Sequence, residues 1–205
     1  MAVNQRSTIA REGWPVLGLA VLAAVALWQY FGFAWSLPLW GVAILLAWLF
    51  RDPRREIPSV PLGVLSPADG QVESVQEVQD PYLGRPAVRI RIAMSHTGVF
   101  ATRSPVEGKV MDLVHARDSG LPHGVWIRTD EGDDVVVAMY RGPMHSVPRC
   151  YIRFGDRVGQ GQRCGYVMLG SRVDVYVPAN SKIRVQAGDR VRAGADVIAV
   201  LVHKP

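Results

Sequence analysis

No charged residue occurs between Trp14 and Phe50. Such a run is too long for the core helix of a small soluble domain and long enough to enter a bilayer. It divides the chain: one part seeks a membrane, and the part from Arg51 onward carries nearly all the charge and must build its own core. Within the run, Phe31-Gly32-Phe33-Ala34-Trp35-Ser36-Leu37-Pro38 reads as a turn through its Gly, Ser and Pro. It leaves two apolar stretches, Trp14 to Tyr30 and Leu39 to Phe50, each slightly short of a full span. Pro38 argues against one long tilted helix. Arg6 and Arg11 precede the run, and Arg51, Arg54 and Arg55 follow it. The positive-inside rule then puts both flanks in the cytoplasm, which only a helical hairpin permits. Trp14, Trp28, Trp35, Trp40 and Trp48 suit its interfacial edges. No small-residue cleavage site follows the first stretch, so a removed signal peptide is not expected. The expected division is 1–58 as membrane hairpin and linker and 59–205 as a separate domain.

That domain reads as β. Ala87 to Met94 alternates apolar and polar over its centre. Gly124–Thr129 and Asp134–Tyr140 flank Asp130-Glu131-Gly132-Asp133, a hairpin signal. No stretch after residue 51 has helical periodicity. Two short patterns recur. Phe154-Gly155-Asp156-Arg157-Val158-Gly159-Gln160-Gly161 echoes Ala187-Gly188-Asp189-Arg190-Val191-Arg192-Ala193-Gly194, and Ser66-Pro67-Ala68-Asp69-Gly70-Gln71-Val72 echoes Ser104-Pro105-Val106-Glu107-Gly108-Lys109-Val110. Both look like the turn-strand units of lipoyl-type hybrid barrels. The expected fold is a mostly β, compact antiparallel sandwich or barrel behind the membrane hairpin.

The net charge of +5 comes from scattered arginines, with no nucleic-acid motif and no aromatic-basic interleaving, so no nucleic-acid partner is expected. A basic surface beside an anchor suits anionic lipid. The two cysteines, Cys150 and Cys164, have neither zinc nor CxxC spacing and read as buried thiols. No histidine pair has ligand spacing, so no metal is expected.

Gly170-Ser171, within Met168-Leu169-Gly170-Ser171-Arg172-Val173-Asp174-Val175-Tyr176-Val177-Pro178, can carry chemistry. In a tight turn before a strand, the serine hydroxyl can attack the glycine carbonyl. The resulting ester eliminates to dehydroalanine, whose hydrolysis releases ammonia and leaves a pyruvoyl group. Gly170 has no Cβ to crowd the attacked carbonyl and tolerates a strained backbone. The ketone so formed can condense with an amine and act as an electron sink. A bare Gly-Ser pair, however, is most often an ordinary turn.

The surroundings of the pair resemble the cleavage region of the phosphatidylserine decarboxylases, in their short branch, with Leu169 where that branch has Phe. The resemblance extends to Phe50-Arg51-Asp52-Pro53-Arg54-Arg55-Glu56-Ile57-Pro58, to Ser66–Val72 and to Arg103–Val110, in the family's order. It implies a pyruvoyl cofactor formed from Ser171, cleavage between Gly170 and Ser171, and a serine phospholipid as substrate. It also implicates Asp69 in orienting or activating a base, as in a Ser-His-Asp arrangement; an Asx turn before Gly70 is the structural rival. Arg103 or Arg172 would pair with the lipid phosphate. The expected partners are the phospholipid, the bacterial or archaeal cell membrane with the domain on its cytoplasmic side, and the chain's own cleaved long and short pieces, with a homo-oligomer left open.

Gly98-Val99-Phe100-Ala101-Thr102-Arg103 departs from the family's Asn-Val-His-Val-Asn-Arg. Phe100 stands at the position of the histidine and cannot take a proton. The Asn-Glu-Arg element is absent, Ser146 and Val147 stand at the family's paired arginines, and the loop after Val110 is shorter. His96 would share a face with Phe100 on an extended strand but lie about 13 Å along it; His115, His123 and His145 are further candidates. Two readings follow. The first is the enzyme. The second is a non-catalytic, membrane-anchored scaffold that binds phospholipid or a partner protein. A lipoyl-like carrier ranks below both, since no Lys sits at a Met-Lys-Met hairpin tip.

Overall fold

The computed structural model describes residues 10, 13–51, 53, 55–58, 60–95, 98–114, 120–142, 146–167 and 172–202. They belong to two compact units, Met1–Arg54 and Arg55–Pro205.

The first unit is a helical hairpin of α1 (Gly13–Phe31) and α2 (Phe33–Leu49). The turn is one residue wide rather than the eight expected. Gly32 alone reverses the chain, at φ 89° and ψ 166°, a backbone conformation that suits glycine. Pro38 therefore lies inside α2, one turn from its start, where its missing N–H removes a single backbone bond. The reversal is antiparallel. Ala10 N donates to Phe50 O at 2.7 Å, and a Cβ on Gly13 would lie 2.5 Å from that of Phe50. Apolar side chains such as Leu19, Leu22, Ile44 and Trp35 cover the outside of the pair, a pattern for a helix surrounded by apolar material. By length and composition α1 is able to cross a membrane, and α2, at 17 residues, is shorter.

The second unit is mostly β, and all its described strand pairs are antiparallel. Its strands are β1 (Gly63–Leu65), β2 (Gly70–Gln79), β3 (Pro86–Met94), β4 (Ala101–Arg103), β5 (Gly108–Val114), β6 (His123–Arg128), β7 (Asp134–Met139), β8 (Arg149–Cys150), β9 (Arg157–Val158), β10 (Arg163–Tyr166), β11 (Arg172–Pro178), β12 (Lys182–Ile183), β13 (Arg190–Val191) and β14 (Val197–Val200). A curled sheet in the order β13-β2-β3-β11-β7-β6-β5-β9 is accompanied by β4-β10-β8 and β1-β14-β12. The expected alternation is present in β3, where Val88, Ile90, Ile92 and Met94 are buried and Arg89 and Arg91 face the other side. The β6–β7 hairpin runs in register from His123↔Met139 to Arg128↔Asp134. The inner face joins Ile90, Ile92, Val137, Val173 and Val175 into the core. On the outer face Ala87, Val136, Ala138 and Tyr176 lie under Val78, Tyr82, Leu83 and Trp126. Tyr82 folds back from the β2–β3 loop and donates to Pro122 O at 2.9 Å, and burial pushes its phenol pKa up.

The two echoes seen in the sequence form equivalent structures. Gly155 and Gly188 both have positive φ (85° and 101°), as do Gly161 and Gly194 (both 70°). Asp156 and Asp189 each accept, at 2.8 Å, a backbone N–H three residues earlier. Ser66 and Ser104 each donate to the carbonyl two residues on. Gly194 N donates to Ser66 O, and Gly161 N to Ser104 O, both at 2.8 Å. β13 thereby pairs with β2 as β9 pairs with β5. These paired turn-strand units are compatible with a lipoyl-type arrangement. Gly70 and Gly108 are equivalent too: a Cβ would lie 1.9 Å from Ala93 O in one and 2.2 Å from Arg128 O in the other.

Candidate active site

Where β2 starts and β3 ends, a cleft of about 590 Å³ is lined by Asp69, Gln71, Ala93, Met94, Ser95 and Gly98, with Arg190 and Arg192 among its other walls. Asp69 is 9% exposed. Its Oδ1 accepts from Ala193 N at 2.7 Å; its Oδ2 accepts from Arg55 Nη2 at 2.6 Å and from Val99 N at 3.2 Å. None of these bonds is local in sequence, so Asp69 is not the carboxylate of an Asx turn. The repeat sharpens the point. Glu107, its equivalent in the second unit of the echo, is exposed. The scaffold does not need a buried acid at that position, yet one copy has it. Gly98 leaves room beside the carboxylate, for a Cβ there would lie 2.9 Å from Asp69 Cβ.

Gly170 and Ser171 lie outside the described residues. On one side of them Val167 N donates to Phe100 O at 2.9 Å. On the other, Arg172 opens β11, paired with Ala93 of β3. Ala93 and Met94 line the same cleft as Asp69, so the strand that follows the Gly-Ser pair starts paired with β3, a wall of that cleft. Arg172 is half-buried, with its guanidinium 4.4 Å above the Tyr140 ring. Arg103 is buried at the end of β4 and donates to Gly161 O at 3.2 Å; it does not line the cleft.

Phe100 is 1% exposed, with its ring 6.3 Å from that of Tyr166 in an edge-to-face contact. Truncation to Ala removes a large, fully packed ring and is expected to cost about 3–5 kcal/mol, read as a lowered urea midpoint with an unchanged slope. After β3, Gly98 N donates to Ser95 O at 3.2 Å. The expected spacing between His96 and Phe100 rests on His96, which lies outside the described residues. His96, His115 and His145 lie outside the described residues, while His123 is buried at the start of β6, opposite Met139.

Sequence reading missed three contributions. Arg55, the first residue of the second unit, supplies the cation on Asp69. Arg190 and Arg192 reach the cleft through the second copy of the Gly-Asp-Arg-Val pattern, and Arg192 holds the Asp196 carboxyl below the usual carboxylate range. The third is Asp174, 0% exposed in a strand of valines. Arg91 Nε and Nη2 donate to its two oxygens, each at 2.9 Å, and Tyr140 OH donates at 3.1 Å. Burial, followed by the Asp174 charge, pushes the Tyr140 phenol pKa up. An acid inside an otherwise apolar β-branched run was the available signal.

Cys150 and Cys164 are free thiols on the neighbouring strands β8 and β10. Burial raises both, Cys164 to about 11. A raised thiol pKa keeps the unreactive protonated form, so at pH 8 the native protein should alkylate with iodoacetamide at least about 100-fold more slowly than free cysteine. Mass spectrometry before and after unfolding in guanidinium checks this. Among the described residues no group of three or more His, Cys, Asp or Glu could hold a metal.

The family model described as phosphatidylserine decarboxylase matches residues 42–199. The phosphatidylserine decarboxylase proenzyme of Nitrosomonas eutropha is 41% identical over 203 residues, covering 93% of this chain and 94% of the relative. That of Nitrosomonas europaea is 37% identical with the same coverage. That of Aromatoleum aromaticum is 38% identical, over 94% of this chain and 95% of the relative. With the family's match running through both the cleft and the strand that begins at Arg172, this chain belongs to the phosphatidylserine decarboxylase family.

Proposed function

We propose that this chain is a membrane-anchored carboxy-lyase that converts phosphatidylserine to phosphatidylethanolamine after cutting itself between Gly170 and Ser171. Residues 1–58 serve as anchor and linker, and residues 59–205 as the catalytic part on the cytoplasmic side. One observation carries the reading: buried Asp69 shares a cleft with Ala93, and Ala93 is the strand partner of the residue that follows Ser171. The relatives' description as proenzymes supports a maturation step.

In maturation Ser171 Oγ attacks the carbonyl carbon of Gly170. The C–N bond breaks, the hydroxyl proton passes to the freed amine, and an ester forms. Elimination then takes the Cα proton of residue 171 and breaks its Cβ–Oγ bond. Gly170 is left as a carboxylate and residue 171 as dehydroalanine. One water enters, one ammonia leaves, and the new chain end is pyruvoyl. Asp69 is the carboxylate that orients these proton transfers. Two backbone donors fix its oxygens and Arg55 balances its charge.

The residues around the start of β11 suit the group. The cleft is roomy, and Gly98 leaves open the space beside Asp69. The pyruvoyl supplies a ketone that takes up the substrate amine and accepts the electron pair left by departing carbon dioxide. Arg172, at the mouth of β11, is the phosphate ligand favoured over Arg103, whose guanidinium is turned to Gly161 O. The hairpin anchors the chain at the membrane and so raises the local concentration of substrate.

The buried ring of Phe100, where the family carries histidine, favours the second reading, a non-catalytic lipid-binding scaffold. Intact mass of the purified full-length protein separates the two. The enzyme gives two pieces, the smaller lighter than Ser171–Pro205 by one ammonia. A single uncut chain overturns it in favour of the scaffold.

A further inference from the structure

The side chains at the start of β11 form a cluster that neither the core nor the cleft requires. Arg172 and Asp174 alternate onto one face of the strand, and Tyr140, just past the end of β7, lies on that same face. Asp174 stands directly opposite Arg91 in the β3 register and takes a two-pronged bond from it. Tyr140 meets both neighbours: its hydroxyl donates to Asp174, its ring lies under the Arg172 guanidinium, and its backbone N–H donates to Arg172 O at 3.2 Å.

A buried ion pair is a poor means of adding stability, because desolvation of the two charges offsets their attraction. An apolar pair would serve the layer as well, and Ala87, Val136, Ala138 and Tyr176 fill the rest of it that way. What such a pair does provide is a unique register. A slip of β11 by one residue would take Asp174 away from Arg91 and turn it to the aliphatic face.

We infer that Arg91, Asp174 and Tyr140 form a clamp on Arg172 that holds the newly made chain end at residue 171 in place after the peptide bond is cut. The inference rests on the proposed cleavage at Gly170–Ser171. Before the cut, residue 171 is tethered by chain on both sides. After it, only β11 holds the reacting group, and the first residues of a strand are where fraying begins. A reacting atom displaced by about 1 Å can cost about 100-fold in rate. Arg91, Asp174 and Tyr140 are positioning residues, acting through Arg172.

The test compares Tyr140→Leu, which loses both hydroxyl and ring, with Tyr140→Phe, which keeps the ring under Arg172. Full-length protein is assayed in vesicles containing phosphatidylserine. Self-cleavage, read by intact mass, should stay within about twofold of wild type. In the cleaved enzyme kcat should fall about tenfold or more for Tyr140→Leu, and less for Tyr140→Phe. Amide hydrogen exchange at residues 172–174 should quicken in cleaved Tyr140→Leu but not in the uncut Ser171→Ala, Tyr140→Leu double variant. Equal quickening in cut and uncut forms would reduce the cluster to general stability and overturn the clamp. So would an unchanged kcat. If Tyr140→Leu fails to fold, Tyr140→Phe carries the same comparison. An uncut wild type overturns the cleavage reading and the clamp with it; a cut wild type whose Tyr140→Leu variant shows no exchange difference between cut and uncut forms overturns the clamp alone.

Discussion

Ser171→Ala protein runs as one uncut chain and decarboxylates at no more than the uncatalysed rate, a fall of at least about 10⁶-fold. The size of the effect follows from the double use of one oxygen. In the proposed maturation Oγ is the attacking atom in the first step and the leaving atom in the second, and alanine has neither function to offer. Without elimination there is no dehydroalanine, and without dehydroalanine no ketone. The fold should be spared, since residues 172–178 pair with β3 and β7 through backbone bonds and through side chains that start at Arg172. Ser171→Thr is the matching control. It keeps the hydroxyl, and any cleavage gives a short chain one methylene heavier that ends in a larger ketone. Intact mass and released carbon dioxide together distinguish loss of the cut from loss of the chemistry after it.

Asp69→Asn slows self-cleavage by about 10²–10⁴-fold, the range expected for removing a positioned proton-handling group. The substitution keeps the shape and removes the charge. It also disturbs the bonding. Three donors converge on Asp69, from Ala193, Val99 and Arg55. An amide presents one oxygen and one NH₂ group, so a donor must face either Arg55 and Val99 or Ala193. A lowered melting temperature is therefore expected beside the slower cut. Arg55→Gln separates the two effects, because it leaves the carboxylate and its backbone donors and removes only the cation. Time courses of cleavage at a temperature where both variants remain folded give the comparison.

The fold was legible where a local pattern and its tertiary partner agree. The alternation from Ala87 to Met94 became β3, and the acidic turn at Asp130–Asp133 became the β6–β7 hairpin. The recurring Gly-Asp-Arg-Val strings were legible because each needs the same glycine conformations and the same aspartate bond to the backbone. The hairpin turn was misjudged because Gly32 alone reverses the chain and α2 accommodates Pro38 in its second turn. At the cleft, Asp69 could be singled out but not its environment. Arg55, Val99 and Ala193 come from three distant parts of the chain, and no spacing in one sequence reports their meeting. Asp174 follows the Gly-Ser pair with no role legible in the sequence, since only strand register sets it opposite Arg91.

β11 lies inside the large sheet, with β3 on one side and β7 on the other. Further along, β13 pairs with β2 and β14 with β1, and Leu201 N donates to Leu62 O. A cut at the proposed site, between Gly170 and Ser171, would therefore leave two polypeptides woven through common sheets rather than a body and a detached tail. Its thermodynamic consequence is a change of molecularity. The uncut chain unfolds and refolds as one molecule, at a midpoint independent of concentration. The cut protein unfolds into two molecules that must find each other again, so dilution lowers its apparent stability. A bond so cut cannot reseal, and a matured form would persist by the slowness of its first unfolding rather than by its capacity to refold.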